Sequence, residues 1–549
     1  MRRALQFCTG WLWVPLLWAA ELNGPASITS QQLLKDITIL ASDEFEGRGP
    51  GSRGEERTTT WLAEQFQAAG LSPGGPNGSW FQEVPMVGIR STFSAAMRQG
   101  TNVMPLTAPQ DLVAWAPPQT EKTSVNDSPV VFVGYGVEAP EYGWDDFKGV
   151  DLRGKTLLML VNDPPVIDAS GALDPTVFKG KAMTYYGRWT YKFEVAARKG
   201  AAAALLIHET GPAGYPWFVV VNSWSRENFS LIAAGEPTVN LAGWLSLDAA
   251  QRVMKDAQLD FETLKRKAVQ RDFRPVPLPF TFQASITNTL RPLRSKNVVG
   301  VLPGSDPLRR NDWIIYTAHW DHLGRDLQRE GDQIFNGALD NATGTAGLLE
   351  LARAFAALPQ RPARSLMFLA LTAEEQGLLG ARHYASSPLH PLERTVANIN
   401  MDGLNPWGRT GDFAIVGLGN SSLDDLARRY ATEQGRTVTS EAQPEKGTFY
   451  RSDHFEFAKV GVPALYGKGG TNFLGRPPEW GRAKADEYTE RDYHKVSDEL
   501  KSDWDLSGAV EDLQLLYRVG YELAATSLWP EWAPNSEFRA RREASRSAR

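Results

Sequence analysis

Residues 312–324, DWIIYTAHWDHLG, join a short apolar run to a cluster of polar side chains. The run Trp313–Tyr316 has the length and the bulky residues of a buried strand. His319, Asp321 and His322 follow within a few positions. Because ligands of open α/β sheets bind beyond the carboxyl ends of the strands, this segment predicts a strand with a functional site directly after it.

The rest of the C-terminal half repeats the order strand, loop, helix. NVVGVL (297–302), SLMFLALTA (365–373) and TVANINMD (395–402) are predicted as further strands, and TGTAGLLELARAFAAL (343–358) as a helix. Such alternation is typical of a doubly wound α/β fold, which is a mostly parallel sheet with helices on both faces. We therefore predict a core domain of this class.

The 549 residues exceed what one hydrophobic core normally organises, so we divide the chain into domains. Residues 21–126, with two amphipathic helices, are predicted to begin the core domain, and residues 278–530 to complete it. Between them, residues 127–277 contain short β-rich runs and one or two helices, which predicts a smaller inserted domain. Residues 531–549 carry five arginines and no apolar run, so we expect a disordered tail there.

The first twenty residues stand apart from the rest. MRRALQFCTGWLWVPLLWAA has a basic start, an apolar stretch and small residues at its end, which is the pattern of a secretory signal peptide. The alternative is an uncleaved N-terminal anchor, and no later run is long enough to predict a transmembrane helix. Cys8 is the one cysteine and lies in this segment, so we expect no disulfide and no cysteine-bound metal in the mature chain. We expect export to the periplasm or secretion.

Composition excludes one broad class of function. Hydrophobic residues make up 42% of the chain and charged residues 22%, as in ordinary soluble domains. The net charge of −6 provides no basic excess to neutralise phosphates, so we expect no nucleic-acid partner. The sequence contains no signal for an oligomeric state.

Acidic and imidazole side chains recur after the predicted strands and in two loops. Imidazole nitrogens and carboxylate oxygens are ligands that suit zinc, and one carboxylate can join two ions through its two oxygens. Two metals about 3.5–4 Å apart can clamp the attacking and leaving oxygens of a hydrolysis. The Glu374–Glu375 doublet offers a ligand and a general base together. Two histidines and three carboxylates would suit a pair of Zn²⁺ ions, and the residues at these positions are His319, Asp321, His322, Asp340, Glu374, Glu375, Asp402 and His494.

Five segments, taken in order, resemble peptidase family M28, the co-catalytic zinc aminopeptidases and related carboxypeptidases. The N-terminal stretch LASDEFEGRGPGSRGEERTTTWLAEQF (40–66) is similar to this family too, and residues 127–277 resemble a protease-associated (PA) domain. The resemblance implies a doubly wound α/β core with an inserted PA-like domain, and a peptide substrate. The five segments are TAHWDHLG (317–324), GALDNATGTAGLLELARAF (337–355), LTAEEQGLLGARHYA (371–385), NINMDG (398–403) and YHKVSDE (493–499).

The resemblance also implies a distribution of the ligands between the two zinc ions. His319 and Asp402 would bind one ion, and Glu375 and His494 the other. Asp340 would bridge both. Cobalt or manganese could occupy the same ligands.

Three further residues receive a catalytic role by the same resemblance. Glu374 would act as the general base, and Tyr493 would stabilise the oxyanion through its hydroxyl. Asp321 would orient the imidazole of His319, as metal-bound histidines generally require. His322 is expected to be structural. Asp453 and His454 are expected in the wall of the site rather than among the ligands.

One position departs from the family pattern. M28 members often have methionine or another apolar residue after the aspartate that matches Asp402, whereas this chain has Gly403. Asn400 is the nearest competitor for the ligand role. A neutral amide replaces an anionic zinc ligand poorly, so we assign the role to Asp402.

We predict hydrolysis of peptide bonds, with N-terminal residues released by an aminopeptidase. Carboxypeptidase or dipeptidase action is an alternative, since relatives share the metal set and differ in the substrate pocket. Two alternatives outside this class are a glutaminyl cyclase with one zinc and a receptor-like binding protein without catalysis. The zinc content of the protein distinguishes these classes, with two ions expected for a peptidase, one for a cyclase and none for a binding protein. The side chain preferred at the cleaved residue is not predicted.

Overall fold

Strand Trp313–His319 lies in the middle of a mixed sheet, as its apolar run predicts. In this computed structural model, which describes residues 26–232, 237–534 and 536–547, all seven residues of the strand are buried. Strands Ser365–Leu371 and Thr395–Asn400 pair with it on either side, both in parallel. A strand with neighbours on both edges and helices on both faces needs such a continuous apolar run.

Alternate residues of this strand face two different layers of helices. Tyr316 lies in the same hydrophobic cluster as helix Thr343–Ala356. Ile315, on the opposite face, lies in a second cluster with residues of helix Leu379–Ser386. The prediction of a doubly wound, mostly parallel α/β fold is therefore confirmed.

The chain forms two compact units. The first comprises the described residues through Val84 together with Ser295–Ala442 and the described residues from Ser452 onward. Its longer strands, in sheet order, are Thr437–Ser440, Asp412–Ile415, Ala464–Gly469, Thr395–Asn400, Trp313–His319, Ser365–Leu371 and the end of Val276–Leu302. Its α-helices are Ser30–Leu40, Arg53–Ala68, Thr343–Ala356, Leu379–Ser386, Leu423–Glu433, His454–Lys459, Trp480–Arg491, Ser507–Ala525 and Arg539–Ser547.

The second unit comprises Pro85–Arg294 and the short segment Gln443–Arg451. Its longer strands are Phe81–Gln99 from Pro85 on, Asn102–Leu106, Leu112–Trp115, Lys122–Phe132, Thr156–Leu160, Ala203–Ile207, Asn228–Leu231, Leu241–Leu245 and the start of Val276–Leu302. Its α-helices are Trp189–Arg198, Thr210–Ala213, Trp217–Trp224, Leu247–Asp256 and Phe261–Ala268.

This second unit extends beyond the insert predicted over residues 127–277. Strand Leu112–Trp115 pairs with Leu241–Leu245, and strand Lys122–Phe132 pairs with the start of Val276–Leu302. Pairing of this kind holds the residues before 127 and after 277 inside the unit. Its resemblance to a PA domain stays a prediction.

The C-terminal segment differs from the disordered tail predicted over residues 531–549. Helix Arg539–Ser547 ends the described chain. Arg542 is buried, its guanidinium lies 5.5 Å from the ring of Trp529, and one Nη donates to the Thr395 carbonyl at 2.8 Å. An arginine with an aromatic surface and buried carbonyls as partners does not need water, which composition alone does not reveal.

The signal peptide predicted over residues 1–20 lies outside the described residues. None of the helices in the described ranges combines the length and the hydrophobicity that a membrane crossing requires.

Candidate metal centre

Three neighbouring parallel strands deliver polar side chains to one edge of the sheet. His319 is the last residue of its strand, the Glu374–Glu375 doublet follows Ser365–Leu371, and Asp402 follows Thr395–Asn400. Parallel strands end at the same edge, so these groups converge. Asp340 reaches them from the loop before helix Thr343–Ala356, and His494 from the loop after helix Trp480–Arg491.

The five predicted ligand residues lie together. The Nε2 atom of His319 is 3.4 Å from Oδ1 of Asp340 and 3.5 Å from Oδ1 of Asp402. The Nε2 atom of His494 is 3.3 Å from Oδ2 of Asp340 and 3.0 Å from Oε2 of Glu375. Asp340 therefore turns one oxygen towards each histidine.

These distances fit a metal ion between the atoms. Ligand atoms bound to one tetrahedral zinc at about 2.0–2.1 Å lie roughly 3.3–3.4 Å from each other. The buried Nε2 atoms of His319 and His494 have no hydrogen-bond partner among the described residues, as expected for nitrogens that serve a cation. Ligand atoms within 4.8 Å of one another form three overlapping sets, His319/Asp340/Asp402, His322/Asp340/Glu375 and His319/Glu374/Glu375.

The carboxylates of the cluster create a negative potential that stabilises positive charge. Burial acts to lower the pKa of His494, but Glu375 and Asp340 outweigh burial and raise this pKa to about 10. Burial opposes protonation of His319 as well, yet Glu374, Asp340 and Asp402 hold its pKa well above the usual value. The negative potential that protonates these imidazoles is the potential that binds divalent cations.

Glu374 and Glu375 are neighbours in different environments. Burial acts to raise the pKa of Glu375, but His494 and His322 beside it lower this pKa to about 2. Burial, Glu375 and Asp402 raise the pKa of Glu374 well above the usual value, against the pull of His319. The carboxylate of Glu374 lies 3.9 Å from His319 Nε2, beside the cluster. A carboxyl with a raised pKa at this place suits proton transfer.

Asp321 contacts His319 differently from the prediction. Its main-chain carbonyl lies 3.2 Å from Nδ1 of His319, and its carboxylate is farther away, at 3.8 Å. The carboxylate instead accepts the main-chain N–H of Glu374 at 3.1 Å. Burial raises the pKa of Asp321 to about 7, against the charge of His319. Asp321 thereby links the strand end that carries His319 to the turn that carries Glu374.

The sequence also suggested roles for Tyr493 and for Asn400. Tyr493 contacts a candidate ligand, whereas the amide of Asn400 is bonded in the interior. The ring of Tyr493 stacks on His494 with a centroid distance of 3.9 Å, and 40% of the residue is exposed. Its role towards an oxyanion stays a prediction. Asn400 accepts from Thr317 and donates to Ser452, each at 2.7 Å, so its amide is used in the interior.

His322 and Asp498 are close to the cluster, although the sequence assigned them no role in it. Nδ1 of His322 lies 2.7 Å from Oε1 of Glu375. The carboxylate of Asp498 accepts the main-chain N–H of Leu339 at 3.0 Å and that of Asp340 at 3.1 Å. Because Asp498 lies four residues after His494, it ties the loops of two candidate ligands together. The motif YHKVSDE contains this aspartate, but its position alone does not reveal the partner loop.

Arg48 supports the same loops from the N-terminal segment. It is fully buried, and its guanidinium donates to four carbonyls, those of Leu40, Trp320, Asn336 and Gly337, at 2.6–2.8 Å. Burial lowers the pKa of Arg48 to about 10, while Asp498 and Asp321 oppose this shift. The side chain thus holds the loops that carry His319 and Asp340.

Replacing Arg48 with methionine is expected to lower the free energy of unfolding by about 3–5 kcal/mol, because four buried carbonyls lose their donor. Urea unfolding of the metal-free protein measures the change. The matched control is Arg57→Met, since Arg57 is partly exposed and pairs with an exposed glutamate. The control is expected to change stability by less than about 1 kcal/mol. Equal losses in both variants would contradict the assigned role of Arg48.

The region around this site is similar to known proteins. The pattern of peptidase family M28 matches residues 297–517. Aminopeptidase YwaD of Bacillus subtilis (strain 168) is 26% identical over 212 residues, which are 38% of this chain and 40% of that protein. Aminopeptidase NAALADL1 of Mus musculus is 35% identical over 125 residues, which are 22% of this chain and 15% of that protein. The match thus spans less than half the length of these relatives.

A solved structure supports the fold. The aminopeptidase from Aneurinibacillus sp. strain AM-1 superposes with a TM-score of 0.50 at 18% sequence identity, over 93% of this chain and 97% of that one. At this identity the likeness concerns the fold alone. The region that matches the pattern of peptidase family M28, residues 297–517, contains all five candidate ligands.

Proposed function

We propose that this chain is a metallopeptidase with two zinc ions that releases N-terminal residues from peptides. The position of Asp340 carries the proposal, because its two oxygens lie 3.4 and 3.3 Å from the imidazoles of His319 and His494. One carboxylate between two ligand groups is the arrangement that a pair of metals about 3.5–4 Å apart requires. The similarity to proteins named aminopeptidase supports the direction of cleavage.

His319, Asp340 and Asp402 would hold one zinc ion, and Asp340, Glu375 and His494 the other. When bound, the ions would lower the pKa of a water molecule towards about 7 and polarise the scissile carbonyl.

The chain's own residues would then move the proton and bind the developing charge. Glu374 accepts the proton of the attacking water and passes it to the departing amine, as its raised pKa favours. Tyr493 donates its hydroxyl to the carbonyl oxygen as negative charge develops there. Asp321 fixes Glu374 by accepting its main-chain N–H at 3.1 Å.

Metal content and substrate blocking test this function together. We expect about two zinc ions per chain by mass spectrometry of the purified protein, and a chelator should abolish hydrolysis. Leucine p-nitroanilide should be cleaved and its N-acetyl derivative should not, because an aminopeptidase requires the free amine. Equal cleavage of both substrates would overturn aminopeptidase action. One zinc ion per chain would point to a cyclase, and none to a binding protein.

A further inference from the structure

Strand Ala464–Gly469 presents two side chains to Asp402. The hydroxyl of Tyr466 donates to the main-chain carbonyl of Asp402 at 2.9 Å, and Nζ of Lys468 donates to the same oxygen at 3.0 Å. Residues two apart in a strand point to the same face, so both side chains reach the site. The function proposed above uses neither of them.

Gly403 makes room for the lysine. Its backbone has φ +66°, and a Cβ atom there would lie 3.2 Å from Nζ of Lys468. A larger side chain at this position would crowd the ammonium. Gly403 and Lys468 therefore form a pair, in which the small residue admits the charged one.

The ammonium of Lys468 has more N–H donors than it uses in its hydrogen bond to Asp402. It carries three N–H groups, and the carbonyl of Asp402 is the one hydrogen-bond acceptor that it has among the described residues. The nearby carboxylate of Asp512 is engaged by Arg436 at 2.7 Å and by the main-chain N–H of Gly469 at 2.6 Å.

The Lys468 side chain is also partly accessible to solvent. Gly403 and Asp402 are partly exposed as well, whereas His319 is buried. Asp402 places its carboxylate 3.5 Å from His319 and its carbonyl 3.0 Å from the ammonium. A single residue, Asp402, therefore connects the ammonium of Lys468 to the candidate metal centre. One extended residue spans about 3.5 Å, so the substrate group that meets Lys468 belongs to a residue flanking the scissile bond.

We propose that Lys468 is a specificity-determining residue that binds a carboxylate of the substrate next to the scissile bond. This carboxylate is either the side chain of an acidic N-terminal residue or the α-carboxylate of a dipeptide. The inference rests on the proposed peptidase function, since it concerns the substrate of the same site. A charge-assisted hydrogen bond in a partly buried place favours the charged substrate over its neutral isostere by roughly 10–100-fold.

Two pairs of substrates separate the two sources of the carboxylate. The p-nitroanilides of glutamate and glutamine differ in one side-chain charge and have no free α-carboxylate. Leucylglycine and its C-terminal amide differ only at the α-carboxylate. For each pair, the ratio of kcat/KM is measured in the wild type, Lys468→Met and Lys468→Arg, with Lys484→Met as the control. Lys484 lies on helix Trp480–Arg491 and pairs with Glu487 at 2.9 Å.

We expect a ratio of roughly 10–100 in one pair for the wild type, a ratio near one for Lys468→Met, and most of the preference in Lys468→Arg and Lys484→Met. The pair that shows the preference identifies the source of the carboxylate. Ratios near one in both pairs for the wild type would overturn the proposal, and so would a preference that survives in Lys468→Met. If Lys468→Met does not fold, Gly403→Ala keeps the charge but crowds Nζ, and an unchanged ratio there overturns the proposal.

Calorimetric binding of glutamate and glutamine to the zinc-loaded protein adds a readout without turnover. If the preference lies in the side-chain pair, glutamate should bind roughly 10–100-fold more tightly, and Lys468→Met should remove the difference. Failure of the proposed function has a different signature, which is the absence of chelator-sensitive hydrolysis for every substrate. Hydrolysis without any carboxylate preference would leave the peptidase function standing and reject the role of Lys468.

Discussion

Glu374→Gln is expected to lower kcat by roughly 10²–10⁴-fold while about two zinc ions per chain stay bound. Glutamine has almost the same shape, but its amide cannot take a proton from water. Burial and the like charges of Glu375 and Asp402 raise the pKa of Glu374 well above the usual value, which makes its carboxylate a stronger base towards the proton of water. Steady-state kinetics and zinc analysis of the same preparation measure both quantities.

Glu56→Gln is the matched control for this variant. Glu56 is exposed on helix Arg53–Ala68, far along the chain from the strand ends of the site, and the change should leave kcat unaltered. Near-normal turnover in Glu374→Gln would refute the general base. Loss of zinc from it would show that Glu374 acts as a ligand.

Asp340→Asn is expected to remove both zinc ions and to leave no measurable hydrolysis. The carboxylate offers one oxygen to the His319 group and one to the His494 group, whereas an amide offers a single, uncharged oxygen. Both ligand groups therefore lose an anionic donor in one substitution. Zinc analysis after gel filtration, together with activity at added zinc, measures the effect.

His494→Ala provides the comparison for this prediction. It removes one ligand from a single group and leaves His319, Asp340 and Asp402 in place, so about one zinc ion per chain should remain. Asp425→Asn, at an exposed position of helix Leu423–Glu433, should retain both ions. Full zinc occupancy in Asp340→Asn would contradict the bridging role.

The strand ends of the site were predictable because hydrophobic runs locate them. The runs that precede His319, Glu374 and Asp402 are continuous, and parallel strands in a doubly wound sheet end at a common edge. Asp340 and His494 lie in loops, and only the resemblance to family M28 selected them as ligands from among the candidate acidic and imidazole side chains. The structure brings the side chains of all five residues together, and their roles as ligands stay proposals.

Other contacts had no local signal. Arg48 lies in a glycine-rich stretch, and its carbonyl partners Trp320 and Gly337 are more than 270 positions away. Asp321 is two residues from His319, yet its carboxylate accepts a hydrogen bond from the main-chain N–H of Glu374, in the turn after the neighbouring strand. Such contacts depend on how loops fold over one another, which periodicity and residue spacing do not encode. The limits of the second unit were missed for the same reason, since long-range strand pairing sets them.

The division of the first unit along the chain has a consequence during synthesis. Helix Ser30–Leu40, whose Leu33 and Ile37 are buried in the finished protein, packs against helix Thr343–Ala356. At about 5–20 residues per second, the ribosome needs roughly 15–60 s to reach this later helix. For that time the apolar face of the early helix lacks the later helix as its packing partner. We therefore expect it to be a binding site for chaperones at the ribosome exit.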